Sequence, residues 1–356
     1  MADTVLATTI AHEIQLIRYS KTLGKDAGVY VDNIMKALRE ELLSTDKVTT
    51  KKQRDELIKF INELFSSELG DWNSELESDL TRLIKEEAKF YQASLASLIG
   101  EKVARPTLES ITKAAYSTEM VLNGQAYTVN DRIKQYDVNS VDKVKRIVTG
   151  GWRDGLTTYE MAQQIAGTQS SSVKNQMKSG AYTLAKDLTS HVSSVSKSKV
   201  GMENSDIIVG EKHVSTLDSK TSPICQRLGS LDGGGKEYYY NEDGYNFPRP
   251  PLHWNCRSTH RYILAPEYEE LEEPRTRPGV VDGRAKRVDS ETSWMELAKN
   301  NPNLARESLG VERAKVLDAM SADEFTKIAY NRLDQLITID ELVKKSKVAA
   351  KSLGRD

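Results

Sequence analysis

Cysteine is nearly missing from this 356-residue chain: Cys225 and Cys256 are the only two. That excludes a disulfide framework and makes a reducing compartment the expectation. Proline is as scarce through the first 222 residues, where Pro106 stands alone, while the other eight of the nine fall between Pro223 and Pro302. Proline removes a backbone donor and clashes with the preceding turn, so its absence permits long uninterrupted helices. An excess of either charge is also missing. Fifty Lys and Arg against 52 Asp and Glu leave a net charge of -2, which excludes a whole-chain polycation and confines any nucleic-acid contact to a local patch. No apolar run approaches the roughly 18–20 residues that cross a bilayer. The segment Met1 to Ile10 lacks the basic-then-apolar order of a signal peptide, so the chain reads as soluble and unexported.

What is present is helical spacing. With 38% apolar and 29% charged residues, the composition suits amphipathic helices that each bury one stripe, in an elongated body rather than one thick core. Leu6, Ile10, Ile14 and Ile17 form one stripe, and Val31, Ile34, Leu38 and Leu42 a second. Leu57, Ile61 and Leu64 begin a third segment that reaches Gly70, and Leu76, Leu80, Leu83, Tyr91, Leu95 and Leu98 carry a fourth to Gly100. Pro106 opens a short helix and Asn123-Gly124 supplies a turn. Asn139 caps a helix carrying Val141, Val144 and Val148, which Gly150-Gly151 ends. Thr157 and Glu160 have capping-box spacing for a helix through Ile165. From Ser171 to Val200 a long helix holds Val173, Met177, Ala181, Leu184, Leu188, Val192 and Val195 on one stripe, with its serines on the surface and Gly201 as its stop.

The period then changes. Ile207, Ile208 and Val209, followed by His213 and Val214, read as short strands. They open a compact, loop-rich module from about Asp206 to Leu264 that holds both cysteines, three of the five histidines and a cluster of aromatics. Pro266 to Asp289 mixes Glu267, Glu269, Glu270, Glu272 and Glu273 with Arg275, Arg277, Arg284, Lys286 and Arg287, the composition of a linker or arm. A helical tail follows, with Trp294, Leu297, Leu309, Val316, Phe325, Ile328 and Leu333 as its expected core. The expected fold is mainly α. It has an elongated N-terminal helical body over residues 1–138 and a small α+β module containing Cys and His within residues 139–264. Residues 265–291 are the expected linker or arm, and residues 292–356 a short helical C-terminal tail with a basic end.

Chemistry concentrates in two segments, Asp218 to Cys225 and Pro250 to Ser258. His253 and Cys256 sit on one tight loop, and Cys225 can join them from a neighbouring segment to give three soft or borderline metal ligands. Asp218, His213 and His260 are candidates for a fourth donor. Three other readings stand beside metal binding: buried thiols packing as small hydrophobes, a disulfide, and a Cys225-His253-Asp218 thiol catalytic set. No activating helix N-terminus is evident for that last set. Asp232 and the run Gly233 to Gly235 read as a hairpin turn, since Lys236 is followed by Glu237 and not by the Ser or Thr of a phosphate loop. His12 and His191 lie in helical stretches and read as surface or packing residues.

Asp218-Ser-Lys-Thr-Ser-Pro-Ile-Cys225 followed by Pro250-Pro-Leu-His-Trp-Asn-Cys-Arg-Ser258 resembles the signature of tailed-phage minor head proteins. This is the head-morphogenesis family that includes the F-like protein of phage Mu. The resemblance covers about Asn139 to Leu264, where Gly151-Trp-Arg-Asp-Gly155 and Thr157 to Met161 are similar to the family's glycine-punctuated helix pair. Trp294 to Leu309 and Leu336 to Leu342 resemble its helical ending.

The resemblance implies a structural protein and not an enzyme, made in the host cytoplasm and present in several copies in the virion head, at the portal vertex or in the interior. The implied partners are the portal and other head proteins, with no membrane. Cys225, His253, Cys256 and Asp218 are the candidate ligands of one structural zinc, and Lys344, Lys345, Lys347 and Lys351 the candidate contacts to viral double-stranded DNA. An internal protein ejected with the genome and a zinc- or thiol-dependent enzyme are the alternatives.

Overall fold

Two long helices open the chain, as the scarcity of proline allows. The structure, a computed structural model, describes residues 5–44, 46–272 and 276–355. α1 (Val5–Leu43) and α2 (Lys51–Ile99) absorb the four expected segments into two, because Gly24, Gly28 and Gly70 lie inside helices. Gly24 has a packing reason: a Cβ there would stand 2.7 Å from the Tyr182 Cα, so the backbones can meet only without it. α2 begins in a capping box between Thr50 and Gln53 and ends at Gly100, whose φ of 71° suits a residue without a side chain. The stripe read at the start of α1 is at the edge of the buried face, with Ile10 and Ile17 half-buried. Ile14 is exposed while Leu16, Leu23 and Ala27 are buried, and the Leu6 side chain lies outside the described residues.

α3 (Leu108–Ser117) leads to a small hairpin of β1 (Met120–Leu122) and β2 (Gln125–Tyr127), which turns at Asn123 and Gly124 with positive φ at both. α4 (Val129–Asp154) starts at a Thr128/Asp131 capping box and ends at Gly155. Asn139 and Gly150-Gly151 are therefore interior to it rather than its ends. Gly151 serves contact instead, lying against Met161 of α5 (Thr158–Ala166), which starts at the Thr157/Glu160 box as expected.

α6 (Val173–Glu203) is the central helix, packed against every one of α1 to α5. One hydrophobic core runs from Leu16 on α1 to Val195 on α6. The expected boundary at residue 138 thus falls inside α4 and within a single core. Gly201 does not stop α6, which continues over the Tyr240 and Tyr262 side chains.

Beyond α6 lies a three-stranded antiparallel sheet of order β4-β3-β5, from β3 (Ile208–Val214), β4 (Glu237–Tyr239) and β5 (Thr259–Leu264). α7 (Pro223–Leu228) lies between β3 and β4 in sequence, so the glycine run is not a hairpin turn. It closes a 3-10 turn, Leu231–Gly233, that feeds β4. The expected linker is also structured: after the 3-10 turn Pro266–Glu272 comes a hairpin of β6 (Thr276–Val281) and β7 (Arg284–Asp289). Val281 and Val288 pack it onto the C-terminal core, which its charged composition concealed. Glu273 and Arg275 lie outside the described residues, as do the side chains of Glu269 and Glu272.

The tail comprises α8 (Trp294–Lys299), α9 (Pro302–Leu309), α10 (Val311–Asp318), α11 (Ala322–Ile328), α12 (Ile339–Lys345) and α13 (Lys347–Ser352). Trp294, Leu297, Leu309, Val316 and Phe325 form its core as expected, with Ile328 at the edge, whereas Leu333 is 71% exposed. The fold is mainly helical, with small sheets and a helical C-terminus. Among the described residues no helix is long and apolar enough to cross a membrane.

Candidate metal centre

Pro223 starts α7 at the position where a helix tolerates proline, with Ser222 as N-cap, and this sets Cys225 in the first turn. A helix N-terminus, not evident from the sequence, is therefore present beside this thiol. The second strand of ligands comes from the turn after Pro251. The Cys256 N–H donates to the His253 carbonyl at 3.1 Å, and Asn255 takes a φ of 60°, which asparagine tolerates better than most residues. Trp254 holds this turn in place: the Arg132 guanidinium lies 4.3 Å above its ring, and Arg132 is itself paired with buried Asp187 at 3.0 Å.

The ligand atoms of Cys225, His253 and Cys256 all lie within 4.8 Å of one another, and this group can hold a metal ion. Both sulfurs are buried, and they stand 3.8 Å apart as free thiols. Two zinc–sulfur bonds of about 2.3 Å meeting at a tetrahedral angle place their sulfurs about 3.8 Å apart, so the spacing fits. His253 Nδ1 donates to the Trp254 carbonyl at 3.0 Å, which leaves Nε2 as the ligating nitrogen and fixes the ring. The electrostatics suit a thiolate ligand. The Cys225 hydrogen bond, aided by His253, pulls the Cys256 thiol well down against its burial, while the same bond and burial push Cys225 up.

Asp218, expected among the ligands, is elsewhere. Arg257 binds both its oxygens, at 2.6 and 2.7 Å, and the Lys220 N–H adds a third contact at 2.9 Å. Burial would raise this carboxyl, but the Arg257 guanidinium and these bonds hold it below the usual range. With Asp218 so engaged, the thiol catalytic set loses its third member. Of the other two donors, His260 faces Glu211 at 3.2 Å and the Ser194 hydroxyl at 3.3 Å. His213, on the strand paired with it, is buried with neither ring nitrogen hydrogen-bonded.

A buried polar seam beside the centre escaped the sequence reading. Ser190, Ser193, Ser194, Ser196, Lys197 and Ser198 of α6 are buried, not on the surface. Ser193 bonds Glu87, which also receives His12 at 2.8 Å; Lys197 donates to the His260 carbonyl; and Ser198 donates to Glu211 at 2.5 Å. Burial opposes the Glu211 charge, yet His260, Arg249 and Ser198 hold its pKa at about 2. Burial lowers Lys197 to about 7 and raises Glu13 to about 8. His191 is buried too, bonded to the Ala115 carbonyl at 2.9 Å. One signal pointed here: the stretch Thr189 to Ser198 carries small polar residues and one lysine, without the long acidic side chains of a solvated helix face.

At the other end of the chain Lys344, Lys345, Lys347 and Lys351 are all exposed on α12 and α13. Comparison with protein-family models, with curated proteins and with solved structures finds no match to this chain.

Proposed function

We propose that the chain is a structural minor head protein of a tailed bacteriophage, present in several copies at the portal vertex or inside the head. There it serves head assembly, DNA packaging or genome delivery. The observation that carries this reading is the convergence of the two signature-like segments. Asp218, Cys225, His253, Cys256 and Arg257, spread over 40 residues of sequence, fold into one knot in which the two thiols are buried and the Asp218, Arg257 and His253 side chains, half-buried, pair with neighbours in it. Such a knot stiffens loops, and one structural zinc is the cofactor that its two sulfurs and imidazole suit. The role is mechanical and not enzymatic: Asp218, the third member of the drawable thiol set, is bound at both oxygens by Arg257.

The long faces of α1 and α2 offer the contact area for the portal and neighbouring head proteins, and the four exposed lysines of the tail contact viral double-stranded DNA. Quantitative mass spectrometry of purified particles of the encoding phage tests the reading. Several copies per particle, and loss of genome-filled heads when the gene is deleted, are expected. Particles that lack the chain and remain infectious would overturn it.

A further inference from the structure

We propose that His213 is the fourth ligand of the centre, completing a Cys2His2 set with Cys225, Cys256 and His253. The inference rests on the reading that these three bind a metal, and it names the group that closes the site. A structural zinc takes four protein donors, and three leave one tetrahedral vertex to fill. Water is a poor candidate, because Cys225 and Cys256 are 0% and 1% exposed.

The remaining donors separate by what they already bind. Asp218 is held at both oxygens by Arg257. His260 is engaged by Glu211 and Ser194 and is braced through its carbonyl by Lys197. His213 alone of these three is unengaged: it is 2% exposed, and neither Nδ1 nor Nε2 has a partner among the described residues. A buried imidazole has a donor and an acceptor to satisfy, so this one is out of keeping with ordinary packing, whereas imidazole is the commonest metal ligand.

Position agrees. β3 sets His213 directly opposite His260, four residues after Cys256, and the groups that act on its ring are Cys256, His260, Arg277 and His253. Two of those four are the proposed co-ligands. His213 stands outside the 4.8 Å group of three. Ligation therefore requires the His213 ring to move toward the sulfurs when metal binds.

Cobalt(II) replacing zinc in the full chain reads the donor set directly. Wild-type protein is expected to bind one equivalent with the intense visible bands of a closed tetrahedral site, unchanged by added imidazole. His213→Gln is expected to keep the thiolate-to-cobalt charge-transfer band, bind at least tenfold more weakly and regain the wild-type spectrum with imidazole. His213→Cys is expected to bind cobalt with a third thiolate's worth of charge transfer, which decides the matter if the Gln variant does not fold. Wild-type spectrum and affinity in His213→Gln, or no added charge transfer in His213→Cys, overturns the fourth-ligand inference and leaves the three-ligand centre standing. Failure of the wild type to take up cobalt or zinc overturns both.

Discussion

Arg257 grips both carboxylate oxygens of Asp218, at 2.6 and 2.7 Å, and so ties the turn before Cys225 to the residue after Cys256. The same Asp218 offers its backbone carbonyl to the Trp294 indole at 2.9 Å, which joins the tail to this junction. Asp218 is thus a positioning residue for the centre rather than a ligand. Since its folded pKa lies below the usual value, the stability it contributes is present above about pH 4 and is lost as pH falls through the folded pKa. Asp218→Asn is expected to cost about 2 kcal/mol at pH 7, because it strips the charge from a half-buried bidentate pair. The deficit against wild type should shrink below pH 4, and thermal melts across pH 3–7 check both. A deficit that stays constant with pH would assign the loss to packing alone.

Metal content tests the centre itself. Purified chain should carry about one equivalent of zinc, and Cys256→Ser should lower both that content and the melting temperature, because a structural ion's binding energy adds to folding. Elemental analysis and melts with and without chelator provide the readout. Metal-free protein whose melting temperature ignores chelator would return the two thiols to plain packing.

Truncation distinguishes one core from two. Removing residues 1–138 takes away α1 and α2, which pack against α6 in the core that holds Leu184, Leu188 and Val192. The fragment 139–356 is therefore expected to aggregate or bind hydrophobic dyes, even though its own sheet and tail remain. A monomeric fragment with a cooperative melt would show that the module folds alone. Tests of partner binding are better made with surface substitutions, such as at exposed Val29 or Tyr159, than with this deletion.

Much of this fold was legible because helical periodicity survives wherever one stripe is buried. Val31, Ile34, Leu38 and Leu42, and the series from Leu76 to Leu95, are buried as their spacing implied. Glycines misled: Gly70 and Gly151 read as breaks, yet both lie inside helices, and at Gly151 the Met161 side chain comes too close for a Cβ. The centre was legible in Cys225, His253 and Cys256, whose residue types restrict what they can do. Asp218 was not, since a carboxylate beside two thiols and an arginine 39 residues away look equally available until the chain is folded. The seam on α6 was hidden for a related reason. Serine has no fixed side of the surface, and its partners Glu87 and Glu211 come from distant segments.

The basic end makes a prediction in salt. Replacing Lys344, Lys345, Lys347 and Lys351 by Gln should weaken binding to duplex DNA and flatten its dependence on ionic strength. Each lost phosphate contact should reduce the slope of log K against log salt by about 0.9. Binding titrations at several salt concentrations measure this. An unchanged slope would leave these lysines as a solvated helix end, with Lys344 and Lys345 in the last turn of α12 answering its dipole.

His191 gives a pH signature away from the metal centre. It is buried on α6 and bonded to the Ala115 carbonyl, and burial, the larger influence, pushes its pKa down to about 4. The His191 imidazole therefore binds fewer protons in the folded chain than in the unfolded chain between pH 4 and 6.5. The stability contributed by this group is full above that window and falls as pH drops through it, by at most about 3 kcal/mol for a shift of this size. His191→Gln keeps a donor for Ala115 but cannot be protonated. It should be less stable than wild type at pH 7.5 because the fit is imperfect, and it should lose less on acidification, so that the two melting curves converge toward pH 4. His213 and His260, also pushed down to about 4, act in the same direction in both proteins and cancel in the comparison. Parallel curves for wild type and His191→Gln across pH 4–7.5 would mean that the imidazole is not held neutral by its burial.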